Sequence, residues 1–352
     1  MKKPVFIKKD QLNKIKKNKN IKIVDIFEEQ LEELFEVLKP EFLYSSNYKN
    51  EKRILIKNIK NGKVKVKDCW VFFPWNGKLV HCLGKNELEL LLTNRNKDLI
   101  NSDEQKKLKE FTVGVIGMSI GSHMAECITG SGISELIKIS DFDTLSTANL
   151  NRINSGIDKI GEKKTEVASQ KIYSRNPFQK IEIFDKGLND GNVEKFFVGS
   201  KKVDLIFEAI DDFKMKIKLR VLAKKNKTAI VMLTNLGDSV LVDVERYDIE
   251  SGVKIFNGLI GDLAEEILTK DLTPEVIKKY AIEIVGRENV PPRAIDSLGK
   301  IGKTLVGRPQ LLSTVTVAGG LSAYIARKIA LGENLPSGRR KIIFEKLLNY
   351  EF

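Results

Sequence analysis

Residues able to hold a phosphorylated ligand recur at regular intervals between positions 117 and 211. Val113 to Gly117 is a short apolar run closing on glycine, and Met118-Ser119-Ile120-Gly121-Ser122 leads into a helical stretch. That order sets free helix N–H groups and the positive end of the helix dipole beside the turn, where they attract phosphate. Glycine lets the backbone approach the ligand. Set against G-x-G-x-x-G, positions three and six are Ser119 and Ser122. The motif alone therefore fits a nucleotide site and an ordinary strand-to-helix turn equally. Asp141 follows twenty residues after Gly121, where a carboxylate suits the ribose hydroxyl pair of NAD or of ATP.

The residues beyond Asp141 separate these ligands. Asp141-Phe142-Asp143 leads to Asn149-Leu150-Asn151-Arg152, then to Gly161-Glu162-Lys163-Lys164, and later to Ala209-Ile210-Asp211-Asp212. An Arg and a Lys converging on one crevice would neutralise a triphosphate. A carboxylate at the next strand end, Asp211, would hold Mg²⁺. A dehydrogenase has little need of such charges around its pyrophosphate.

These residues need a scaffold that brings distant segments to one edge. Apolar runs at Thr112–Ile116, Leu136–Ile139, Ile181–Phe184, Val203–Ala209, Thr228–Leu233 and Ser239–Glu245 read as strands. Helical patterns lie between several of them: Gly121–Thr129, Lys163–Tyr173, Val193–Phe197 and Phe213–Lys225. The fold class is α/β, a Rossmann-like, mostly parallel sheet with helices on both faces. Ligands of such sheets bind at the carboxyl ends of the strands, where Gly117, Asp141 and Asp211 stand. Asp262–Lys270 and Pro274–Val285 read as helices, Arg287–Pro309 as a long basic loop, Leu311–Leu331 as a helix with small residues, and Lys341–Phe344 as a last strand.

Upstream lies a small α+β domain. Leu31–Leu38 has helical spacing, Lys63–Lys67 alternates with period two, and Trp70–Gly77 reads as a strand entering a turn with Lys78–Leu83 pairing back. The aromatic residues there read as a small core. The expected division is a solvated lysine-rich arm at 1–20, the small domain at 21–92, and the nucleotide-binding domain at 93–352.

The chain has 352 residues with 60 Lys and Arg against 47 Asp and Glu, a net charge of +13. Residues 1–110 hold 25 basic against 16 acidic residues, and the first 19 residues alone hold eight lysines. A nucleic-acid-binding catalytic domain would carry more of that excess itself. No apolar run approaches ~18 residues, so no membrane helix is expected. No secretory core follows the N-terminus, and the expected location is the cytoplasm. Three cysteines, Cys69, Cys82 and Cys127, and two histidines, His81 and His123, argue against a disulfide framework and a structural zinc. Cys127 reads as a small core residue.

In the series Asp-Phe-Asp, Asn-Leu-Asn-Arg, Gly-x-x-Lys and Ala-Ile-Asp-Asp, the sequence resembles the ThiF/MoeB superfamily of ubiquitin-activating-enzyme-like adenylyltransferases. The resemblance runs from about Asn94 to Asp248, with a weaker echo from Leu311 to Gly338. It implies an enzyme that uses ATP and Mg²⁺, without zinc, to adenylate a carboxylate and release pyrophosphate. It also implies roles. Asp141, beside Asp143, would bind ribose at the loop of Gly117, Ser119, Gly121 and Ser122. Asn149, Arg152 and Lys164 would contact the phosphates, and Asp211 would bind Mg²⁺. Arg95 in Asn94–Ile100 resembles an arginine that reaches the γ-phosphate, often from the partner subunit of a homodimer. The family's fuller glycine loop is interrupted here by Ser119, Ile120 and Ser122. The paired CxxC and the downstream thioester cysteine of other branches are absent. The Trp70–Trp75 stretch further resembles a zinc-free bacterial subgroup with a small N-terminal domain.

The substrate class expected from this resemblance is a protein or peptide C-terminus or a small acid. The alternatives are an enzyme like tRNA threonylcarbamoyladenosine dehydratase, with tRNA as partner, a non-catalytic nucleotide-binding subunit, and an NAD-dependent oxidoreductase.

Overall fold

A computed structural model describes residues 2–261, 267 and 273–348. The chain divides into two compact units, residues 1–104 with 170–179, and residues 105–169 with 180–352.

The first unit is built on a four-stranded sheet in the order β1-β3-β4-β2. Its strands are β1 (Val5–Ile7), β2 (Lys22–Asp25), β3 (Asp68–Phe73) and β4 (Lys78–Leu83). β3 and β4 form the expected hairpin, and Cys69 stands opposite Cys82. The sheet carries α1 (Lys9–Lys16), α2 (Phe27–Leu38), α3 (Tyr48–Lys60) and α4 (Lys85–Thr93). Leu31 and Leu34 of α2 close a core with Ile59, Leu83 and Leu88. The aromatic stretch is a core as expected, with Val71, Phe73 and Cys82 buried together. Trp70 stacks on His81 at 4.4 Å between ring centroids.

Two expectations fail in this unit. The segment 1–20 is not a free arm: Val5, Phe6 and Ile7 pair antiparallel with Phe72, Val71 and Trp70. Three apolar residues among many lysines suffice for an edge strand. The period-two stretch Lys63–Lys67 lies outside the ladder, which begins at Asp68 opposite Leu83.

The second unit holds the seven-stranded sheet, in the order β11-β10-β9-β8-β5-β6-β7. Its strands are β5 (Val113–Ile116), β6 (Leu136–Ser140), β7 (Lys180–Phe184), β8 (Leu205–Glu208), β9 (Ala229–Asn235), β10 (Ser239–Glu245) and β11 (Gly338–Ile343). From β7 to β9 the neighbours run parallel, and β10 and β11 are antiparallel. The order reverses at β5, which lies between β6 and β8 and so forms the switch point where such sheets bind ligands. The helices lying wholly or partly in this unit are α5 (Ser102–Glu110), α6 (Gly121–Gly130), α7 (Lys164–Arg175), α8 (Val193–Val198), α9 (Phe213–Asn226), α10 (Pro274–Val285), α11 (Pro292–Leu298), α12 (Leu312–Ala330) and α13 (Phe344–Leu348). β5 and β8 are buried along their whole length, which is why β5, and β8 up to Glu208, read as apolar runs. The small residues of α12 let it approach α6, since a Cβ on Gly319 would stand 3.0 Å from that of His123.

The stretch Arg287–Pro309 is not a plain loop. It contains a 3-10 turn, Arg287–Asn289, and helix α11, which Pro292 opens at a position where its missing N–H costs nothing. The helix expected at Asp262–Lys270 lies, apart from Ile267, outside the described residues.

Candidate functional site

The site begins at Gly117, directly after β5. Its φ is +90°, and an added Cβ would stand 2.3 Å from the Ala209 carbonyl oxygen. Only glycine lets the end of β5 lie this close to the end of β8. The Gly117 N–H donates to the Ser140 carbonyl at 2.7 Å, tying the turn to β6 as well.

Asp141 then joins the turn to the loop after β6. Its Oδ2 accepts from the Met118 N–H at 2.5 Å, and its Oδ1 accepts from the Asp143 N–H at 2.8 Å. Each oxygen keeps a second lone pair for a ligand hydroxyl.

The loop after β6 is pinned to the segment before α7. Leu145 N–H donates to Glu162 O, Gly161 N–H to Leu145 O, and Lys164 N–H to Asp143 O. Leu145, Leu150, Ile153 and Val167 pack beneath as an apolar plug. This clasp brings Lys164 to Asp143, with Nζ 2.7 Å from Oδ2. Lys164 is 8% exposed, so its charge is held in one place. Asn149 closes the 3-10 turn Thr147–Asn149, where its Oδ1 accepts from Ser146 N–H in a reciprocal cap.

Arg152 reaches back to the glycine turn. Its Nε donates to Ser119 Oγ at 3.1 Å, and its Nη1 to Ala148 O and Asn151 Oδ1. Ser119, a departure from the glycine-rich pattern, thus orients the arginine. The Ser122 hydroxyl is buried and donates to Ser119 O, so it is engaged within the turn.

Asp211 follows β8 with its carboxylate 89% exposed. Its neighbours fix it on both sides. Ile210 N–H donates to the carboxylate of Glu208, and Asp212 caps α9 by accepting from Met215 N–H. Glu208 belongs to a buried ionic network: Lys216 Nζ stands 2.6 Å from it and Arg220 Nη1 3.1 Å. Arg220 also binds Glu245 at 2.7 Å, and Glu245 accepts from Tyr247 OH and Phe256 N–H. Burial alone would raise the pKa of Glu208. The Lys216 and Arg220 charges outweigh it and hold the carboxyl below its usual range.

One cation at the site has no counterpart in the sequence reading. Arg308, between α11 and α12, places Nη2 2.6 Å from Asp211 Oδ1. The same segment is tied to the Arg152 loop, where Asn151 Nδ2 donates to Gln310 O at 2.9 Å. Burial, and then the nearby Arg308 charge, lower the Arg152 pKa from its ordinary value. The basic character of Arg287–Pro309 was the only sequence signal of it.

Gly117, Ser119, Gly121, Ser122, Asp141, Asp143, Asn149, Arg152, Lys164 and Asp211 therefore all belong to the segments around the ends of β5, β6 and β8. Arg95 belongs to the other unit. It is exposed on the 3-10 turn Asn94–Asn96 of the first unit. A lone exposed carboxylate such as Asp211 suits Mg²⁺, which takes one or two carboxylates plus substrate phosphates. Among the described residues, no group of three or more His, Cys, Asp or Glu gathers to hold a metal by itself. Nor, among them, is any helix long and apolar enough to cross a membrane.

The chain belongs to the ThiF family, whose model matches residues 93–349. It is 33% identical over 277 residues to an uncharacterised protein of Mycobacterium tuberculosis, covering 78% of this chain and 37% of that protein. It is 30% identical over 141 residues to the tRNA threonylcarbamoyladenosine dehydratase of Haemophilus influenzae, covering 40% of this chain and 53% of that one. The chain thus spans about a third to a half of the length of these relatives. Among solved structures, the E. coli tRNA threonylcarbamoyladenosine dehydratase in complex with ATP matches with a TM-score of 0.50 at 18% identity. That match covers 69% of this chain and 95% of the other, and it supports the Rossmann-like fold.

Proposed function

We propose that this chain uses ATP to adenylate a substrate carboxylate. A carboxylate oxygen attacks the α-phosphorus, the bond from that phosphorus to the β-bridging oxygen breaks, and pyrophosphate leaves. The observation that carries this reading is the meeting of Asp141, Arg152, Lys164 and Asp211, from four separate segments, around one glycine turn. Asp141 takes the ribose hydroxyls. Arg152 and Lys164 offset charge on the phosphates, with Asn149 beside them. Mg²⁺ on Asp211 would neutralise further phosphate charge. Catalysis then consists of holding ATP in line and stabilising developing charge. Arg95 is proposed to reach the terminal phosphate from a second copy in a homodimer. The carboxylate belongs to a protein or peptide C-terminus or to a small acid.

A second substrate is favoured by two observations, the relative in Haemophilus influenzae and the excess of nine positive charges within residues 1–110. In that reading the carboxylate is the threonylcarbamoyl group of a tRNA.

The test is ATP–pyrophosphate exchange with protein, RNA and small-molecule fractions of a lysate. Exchange that depends on one fraction supports adenylation and identifies the substrate class. RNA-dependent exchange should fall steeply with salt, as phosphate contacts do. ATP binding without exchange from any fraction would leave a nucleotide-binding subunit. NADH binding in preference to ATP would overturn the proposal.

A further inference from the structure

We infer that Arg308 is a phosphate ligand of the bound nucleotide, shared between Asp211 and the phosphate chain. The inference rests on the adenylation reading and adds to it a cation from the far end of the unit.

Arg308 pairs with Asp211 at 2.6 Å, and its segment is tied to the Arg152 loop by the bond from Asn151 to Gln310 O at 2.9 Å. Among the described residues, the hydrogen bonds of Arg152 go to a hydroxyl, a carbonyl and an amide oxygen and to no carboxylate. Two forked cations on segments bonded to each other suit a ligand of high negative charge, and the guanidinium fork matches phosphate oxygens. The Arg308 segment is fastened at two points just C-terminal to the arginine. Gln310 O is bonded to Asn151, and Thr314 of α12 donates to Gly237 O. Arg308 itself is 56% exposed, so its side chain can turn while the backbone stays anchored.

Asp211 Oδ1 cannot hold a guanidinium and a metal ion at the same point. Were Asp211 to hold Mg²⁺, Arg308 would be released from its carboxylate and free to turn to the phosphates. Asp211 and Arg308 would thus be linked by exchange, with Asp211 restraining the arginine until nucleotide arrives.

The test is nucleotide binding by calorimetry with the full chain, with Mg²⁺ and separately with EDTA. Arg308→Ala should weaken ATP about 10- to 100-fold, the loss expected for a charge-assisted contact, and leave AMP within twofold. Arg308→Lys should recover part of it. In EDTA, Asp211→Asn should tighten ATP by freeing Arg308, and adding Arg308→Ala should abolish that gain. Both side chains are exposed, and circular dichroism checks that the variants fold. Unchanged ATP affinity in Arg308→Ala, or equal loss for ATP and AMP, overturns this inference alone and makes the pair an ordinary surface contact. Failure of the unsubstituted chain to bind ATP overturns the adenylation reading along with it.

Discussion

Replacing Gly117 by alanine tests both the turn and the reasoning that ties it to catalysis. Its φ of +90° is strained for any side chain, a cost of about 1–3 kcal/mol. The new Cβ would lie 2.3 Å from Ala209 O, and the least separation real Cβ atoms show is near 3.0 Å, so the two strand ends must part by about 0.7 Å. Forcing such a shift in a packed region adds about 1–3 kcal/mol. The total, about 2–6 kcal/mol, is a large share of the ~5–15 kcal/mol that holds a domain together. Ala209 is bonded to Ile116 through its N–H, and Ile210 to Glu208, so the displacement is passed to Asp211. A misplacement near 1 Å costs about 10²-fold in rate. Urea denaturation and ATP–pyrophosphate exchange should therefore both fall in Gly117→Ala. Gly332 supplies the control. It has φ +71° after α12 but open space around its Cβ position, so Gly332→Ala should cost ~1 kcal/mol or a little more and leave exchange intact. Exchange by Gly117→Ala within threefold of the unsubstituted chain would refute the argument.

Three further outcomes follow from the site. Asp211→Ala should abolish exchange with an unchanged fold, and Arg152→Ala and Lys164→Ala should each lower it about 10²–10³-fold; full turnover in Asp211→Ala contradicts its assigned role. Arg220→Leu should lower the unfolding free energy by about 3–5 kcal/mol in urea, because it leaves Glu208 and Glu245 buried beside each other with one cation fewer. Glu208, with a lowered pKa in the fold, contributes stability that is present above its unfolded pKa of about 4.3 and lost as pH falls through the folded value. The difference in melting temperature between the unsubstituted chain and Glu208→Gln should thus shrink on acidification below about pH 4, and a constant difference would contradict the shift.

What the sequence made legible depended on how each element is buried. β5, β8 and β9 read as strands because both faces are covered, which leaves mostly apolar runs. Asp141 and Asp211 read as site residues because each closes such a run. Arg308 did not, since 97 positions separate it from Asp211 and no spacing rule links a loop arginine to a distant strand end. Arg220 and Glu245 were equally hidden. Charged residues within a helix and a strand look like solvent-facing positions until the partners that satisfy them are known. β1 was obscured by the lysines around three apolar residues. The clasp between Asp143 and Lys164 was only half legible, because the order of motifs brought the residues to one crevice without pairing them.

The network behind Asp211 has a consequence for inheritance. Glu208, Glu245, Lys216 and Arg220 balance two acids against two bases with little or no contact with water. A mutation that neutralises one of them strands a charge, whereas a compensated pair of changes need not. Drift at these four positions is therefore epistatic. Lineages that keep the loop of Asp211 in place should either retain the quartet whole or exchange its members in matched pairs.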